Sequence, residues 1–198
     1  MNEVSKVIVF LVFVVFFSII ILIIMENNDY FLQYRTAILN NKQYGIQEKF
    51  NKSNDALELL AKLHDNMESF VNDLHNKYPN DDRAIRLIKG FKDTKIEEAP
   101  DDDGSSFTID KGEMMGLCLR KKQGERDFHD YNTLLFVIIH ELAHVASVSE
   151  GHNEEFVKNF KFLLTEAKLL NYYEPVNYQI SPITYCGIQV TNNPYFNS

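Results

Sequence analysis

Basic residues are scarce in this chain: 20 Lys and Arg stand against 28 Asp and Glu over 198 residues, a formal net charge of −8. There is no basic stripe, and affinity for a nucleic-acid backbone comes from Lys and Arg neutralising phosphates. No nucleic-acid partner is therefore expected. Cysteine is equally sparse. Cys118 and Cys186 lie 68 positions apart with no C-x-x-C motif. They read as two isolated buried thiols or, in an oxidising space, as a disulfide. No internal repeat is found, and the length favours one domain. The acidic stretch EEAPDDDGSS over 97–106 lacks the ligand spacing of an EF-hand and reads as a solvated loop.

Charge is absent altogether from residues 7–25, VIVFLVFVVFFSIIILIIM. A helix rising ~1.5 Å per residue covers about 28 Å over that run, close to the ~30 Å hydrocarbon core of a bilayer. A signal peptide would want a shorter apolar run, basic residues before it and small residues at a cut; this run is long and ends Met25-Glu26-Asn27-Asn28 with no small-x-small site. A buried core helix would show an amphipathic pattern. The expectation is a single-pass membrane anchor over 7–25 behind a short tail, 1–6. Lys6 before it and Arg35 and Lys42 after it nearly balance, with a slight lean to an exterior or lumenal domain.

Asp29 to Tyr44 reads as a continuing helix, a stalk over 26–52 ahead of a domain over 53–198. Ser53 or Asn54 starts a long helix to about Tyr78, with Leu57, Leu60, His64, Met67, Val71 and Leu74 on one stripe. His64 on that stripe and His75 beside it are weighed as ligands, but a lone helical His is more often packed or solvated. Pro79 ends the helix. Asp81 and Asp82 open a shorter one through Ile88, ended by Gly90. Phe107–Ile109 and Met114–Leu119 read as two strands joined at Asp110-Lys111-Gly112. The second reads either as a plain core strand or as an edge strand beside the active-site helix, pairing with an extended peptide. Asp130 or Asn132 caps the most apolar helix, and Asn153 caps another in which Phe156, Phe160, Leu163, Ala167 and Leu170 share a face. The tail from Tyr172 reads as irregular chain with one short strand, Ile188 to Val190.

The chemistry sits in His140-Glu141-Leu142-Ala143-His144. Residues four apart on a helix share a face, so two imidazoles can bind one ion, with Glu141 placed to take a proton from metal-bound water. A buried helix end carrying ionisable groups is costly unless they bind something. Gly151-His152 follows and supplies a third ligand. Glu166 competes for that role, but its direction falls on a solvated flank. Oxyanion stabilisation needs a further donor, with Tyr172, Tyr173, Tyr185 and His129 as candidates.

The segment HELAHVASVSEGHNEEF resembles the active site of the WLM and SprT-like zinc metallopeptidases. The upstream EEAP, the strand GEMMGLCLR and the closing YCGI are similar too. The likeness covers about residues 80–170 and is nearest to small membrane-anchored members of large DNA viruses. It implies an α+β, zincin-like fold of a small sheet and an active-site helix. It also implies Zn2+ held by His140, His144 and His152, with Glu141 catalytic and a protein or peptide as substrate. The expected protein is a membrane-anchored zinc peptidase, with a virion membrane as one location. The alternatives are a zinc-stabilised structural membrane protein and a zinc-dependent amidase.

Overall fold

The computed structural model describes residues 10–20, 32–100 and 105–197. The chain divides into two units, 1–31 and 32–198. In the first unit, residues 10–20 are helical (α1). Among the described residues no helix is long and apolar enough to cross a membrane. The anchor expected over 7–25, and the membrane location and exterior lean drawn from it, are not upheld. Residues 7–9 and 21–25 of that run lie outside the described residues.

The second unit begins with a correction. The expected helical stalk is instead a hairpin, β1 (Gln33–Thr36) and β2 (Gln43–Ile46), paired antiparallel. Tyr44 and Ile46 on it are fully buried, so apolar burial in a sheet overrides the expected continuation of a helix. The chain then enters α2 (Ser53–Lys77), whose buried residues include Leu57, Leu60, His64, Met67, Val71 and Leu74, the expected stripe. Lys52, in a left-handed conformation, precedes α2 with no side-chain cap, so neither Ser53 nor Asn54 caps it.

Asp81 caps α3 (Asp82–Phe91), its carboxylate accepting from the Arg83 amide. This helix runs through Gly90 rather than ending there. A Cβ at Gly90 would lie 2.6 Å from a Val145 methyl and 2.7 Å from the Lys111 carbonyl oxygen. The glycine therefore serves a close approach, not a helix stop. Next come β3 (Lys95–Glu98), β4 (Phe107–Ile109) and β5 (Met114–Leu117). Glu97 and Glu98, expected in a solvated loop, are buried at the end of β3; Glu98 pairs with the buried Arg120 at 2.7 Å.

The sheet order is β1-β2-β3-β5-β4, with β2, β3 and β5 parallel and the outer strands antiparallel to their neighbours. Of the two readings of Met114–Leu119, the core strand is the one observed: β5 lies between β3 and β4, and β4 is the edge on that side. The turn Asp110-Lys111-Gly112 joins β4 to β5 with positive φ throughout, as its residue types suggest. Asp130 caps α4 (Tyr131–Ala146) and Asn153 caps α5 (Glu154–Leu169). The tail forms a hairpin, β6 (Ile183–Tyr185) and β7 (Ile188–Val190), turned at Cys186-Gly187. The two-residue turn with φ of 48° and 85° suits the right-handed twist of paired strands. Cys118 and Cys186 form a disulfide that ties this hairpin to the end of β5. The unit is α+β, with α4 packed against α2, α3, α5 and β4.

Candidate functional site

The candidate site forms at the C-terminal part of α4, whose Leu134 to Ile139 are all buried. This anchored half aims the turn that follows, in which only His140 and His144 are partly open. His140 and His144, one turn apart, project from the same face, their ring centroids 5.1 Å apart. Ser147 ends the helix in an extended conformation, its hydroxyl donating to the Ala143 carbonyl at 2.7 Å.

The chain then returns through a short loop to His152, and three groups hold that loop. The Glu155 carboxylate accepts from the Val148 amide at 2.8 Å, the Ser149 amide at 3.0 Å and the Ser149 hydroxyl. These donors pull the Glu155 carboxyl down to about 2. Lys111, from the β4–β5 turn, donates to the Ser149 carbonyl at 3.0 Å and pairs with Glu150 at 2.9 Å. Asn153 donates to Ser149 Oγ while its own oxygen caps Phe156. Gly151, with φ of 77° in open space, allows the return. His152 thereby reaches His140, Nε2 to Nε2, at 3.0 Å.

The ligand-capable nitrogens of His140, His144 and His152 all lie within 4.8 Å of one another. Phe156 packs against all three rings at 4.9, 4.4 and 4.7 Å between centroids. Burial, with the neighbouring imidazoles, lowers His140 to about 3 and His144 to about 4. Both rings are therefore neutral at pH 7, the state in which imidazole binds metals. Zinc-to-nitrogen bonds of ~2.0–2.1 Å set tetrahedral ligand nitrogens about 3.3–3.4 Å apart. The spacing here needs only small ring rotations to meet that geometry, so the donor set fits a divalent metal.

Glu141 is buried, and that burial raises its carboxyl to about 7. Thr108 on β4 opposes the rise by donating to Glu141 Oε2 at 2.7 Å. Nothing in the sequence marks Thr108: one hydroxyl on a strand finds its partner only once β4 lies beside α4. Glu155 carried a weak signal, an acidic residue in the first turn of a helix. A cleft of about 860 Å³ opens over these residues, walled by β4, the 150–152 loop and the β6–β7 hairpin, with Phe136, Phe156 and Phe160 along its apolar side.

The other candidates fall elsewhere. His64 is a core residue, its Nδ1 2.9 Å from the Tyr44 hydroxyl. Tyr172 donates to Asp73 at 2.7 Å, and Tyr173 accepts from Asn193 at 3.0 Å. Tyr185 lines the cleft, but its hydroxyl donates to the Cys118 carbonyl at 2.8 Å. His129 lies against the disulfide, its Nε2 3.4 Å from Cys186 Sγ. Glu166, expected on a solvated flank, is buried and committed to the end of α2, paired with Lys77 at 2.6 Å and accepting from Tyr78 at 2.9 Å.

Residues 99–192 match the model of the WLM domain. Protein R325 of Acanthamoeba polyphaga mimivirus is 36% identical over 164 residues, 79% of this chain and 81% of that protein. Protein 136R of Invertebrate iridescent virus 6 is 29% identical over 155 residues, 73% of this chain and 84% of its own length. Among solved structures, Wss1 from Saccharomyces cerevisiae is 20% identical, with a TM-score of 0.48 over 63% of this chain and 85% of that one.

Proposed function

The chain belongs to the WLM family, and from that premise we propose that it is a zinc-dependent peptidase cutting protein or peptide substrates. His140, His144 and His152 hold the metal and Glu141 is the base. The observation that carries this reading is the convergence of three imidazoles and one buried carboxylate on a single cleft. When bound, zinc supplies a Lewis acid with an open position, which acidifies water and polarises the scissile carbonyl. Glu141, poised near 7 by burial, takes the proton of the attacking water and returns it to the leaving amine. Thr108 holds Oε2, so Oε1 does this work. The loop contacts of Glu155 and Lys111 keep His152 aimed. An extended substrate lies along β4, the edge strand, through main-chain hydrogen bonds.

The test is Glu141→Gln in the full chain. Bound zinc, measured by metal analysis, should stay stoichiometric while cleavage of unfolded protein falls by at least ~100-fold. Undiminished cleavage would remove Glu141 from the mechanism. Cleavage of small amides in preference to proteins would move the reading to an amidase.

A further inference from the structure

A second cluster of ligand-capable side chains lies apart from the histidine triad. Cys118, Cys186 and His129 are all buried, and their ligand atoms lie within 4.8 Å of one another. His129 is oriented from two sides. It makes a hydrogen bond to the backbone of Arg120, and its Nε2 faces Cys186 Sγ at 3.4 Å. Backbone oxygens converge on the sulfurs as well: the Arg120 carbonyl is 3.6 Å from Cys118 Sγ and 3.7 Å from Cys186 Sγ, and the Cys118 carbonyl is 3.6 Å from Cys186 Sγ. A disulfide needs neither the imidazole nor the carbonyls, since its sulfurs carry no proton and no charge. A cation needs such a donor set.

We propose that, once the disulfide is reduced, Cys118, Cys186 and His129 form a second metal site that binds one zinc-type cation. The step balances. A dithiol or phosphine reductant delivers two electrons, the S–S bond breaks, two protons make two thiols, and the cation displaces those protons on binding. Two thiolates and one imidazole are a soft, nitrogen-containing set suited to zinc. Sulfur at ~2.3 Å and nitrogen at ~2.0–2.1 Å from a tetrahedral ion lie about 3.5 Å apart, which the 3.4 Å separation already meets. The two sulfurs need only swing to ~3.8 Å from each other. The imidazole is held as a metal-ligating His is, one ring nitrogen on a carbonyl and the other toward the ion.

The site's position gives it a purpose. Cys186 sits in the β6–β7 turn, and Ile188 and Val190 of that hairpin line the cleft. Tyr185 beside it hydrogen-bonds Ser106 at 2.6 Å and the Cys118 carbonyl. The cross-link thus docks one wall of the cleft, as a disulfide under oxidising conditions and as a metal bridge under reducing ones.

Cobalt(II) tests this, because only this site contains sulfur. The full chain, reduced with a phosphine and titrated anaerobically, should develop the near-ultraviolet sulfur-to-cobalt charge-transfer band at one equivalent of thiolate-bound metal. The oxidised chain should not. The band should persist in His140→Ala/His144→Ala, which lacks the triad, and vanish in Cys118→Ser/Cys186→Ser. His129→Ala, which spares both thiols, should weaken cobalt binding by ~10-fold or more. No band in a reduced chain with two titratable thiols would overturn the proposal. A band with unchanged affinity in His129→Ala would overturn it too, whether or not the double serine variant folds.

Discussion

At the scale of single residues, the third metal ligand is where the chemistry of two candidates diverges. His152 reaches its neighbours at hydrogen-bond distance with an open loop behind it. Glu166 is satisfied by Lys77 and Tyr78. Removing it breaks a pair with one buried partner and costs stability, whereas removing His152 opens the coordination shell. His152→Ala should therefore weaken zinc by at least ~10-fold, the least expected for losing a ligand when supporting groups alone are worth that much. Glu166→Ala should leave zinc affinity unchanged and lower the unfolding midpoint. Zinc competition with a chromophoric chelator, beside thermal melts, separates the two effects. The reverse order of affinities would put Glu166 in the shell.

At the scale of elements, the site depends on how α3 and the β4–β5 turn meet α4. Gly90 brings α3 against Val145, on the helix turn that carries His144, and against the Lys111 carbonyl. A β-carbon there has no free space, because one of its two neighbours is backbone. Gly90→Ala should destabilise the domain by about 1–3 kcal/mol, the usual cost of overpacking, although alanine is the better helix former in an open position. Urea unfolding measures this; a stabilised Gly90→Ala chain would show that the contact gives way freely. Lys111, in the turn so displaced, also holds the His152 loop, so zinc affinity should fall in the same variant.

At the scale of the whole molecule, buried neutral histidines make stability depend on pH. Burial lowers His64 to about 4 and His129 to about 4, against about 6.5 in an unfolded chain. A depressed folded-state value means that the unfolded chain takes up the protons first. The stabilising contribution is present above about pH 6.5 and is lost as pH falls toward 4. For His64 alone the loss is of the order of 3 kcal/mol when complete. Melting temperature measured from pH 7.5 to 4 should fall most steeply in that window. His64→Phe, which removes the titrating ring but fills the space beside Phe91 and Tyr44, should flatten the slope; an unchanged slope would clear His64 of the effect.

The shared face of His140 and His144 was legible in the residues themselves, because a helix forces positions four apart onto one face whatever surrounds it. The same holds for the stripe of α2, the caps Asp130 and Asn153, and the β4–β5 turn, all set by local geometry. Other features depended on partners distant in the chain. The stretch from Asp29 to Tyr44 reads as a continuing helix, and only the sheet beside β3 makes its residues 33–44 part of a hairpin. Whether β5 or β4 holds the edge was open along the chain, because strand order is a property of the assembled sheet. The apolar run near the N-terminus had composition and length in its favour, yet among the described residues no helix is long and apolar enough to cross a membrane. Thr108 meets Glu141 across 33 residues, and His129 meets Cys186 across 57. Spacing along a chain carries no information about such pairs, since the packing of separate elements alone brings them within bonding distance.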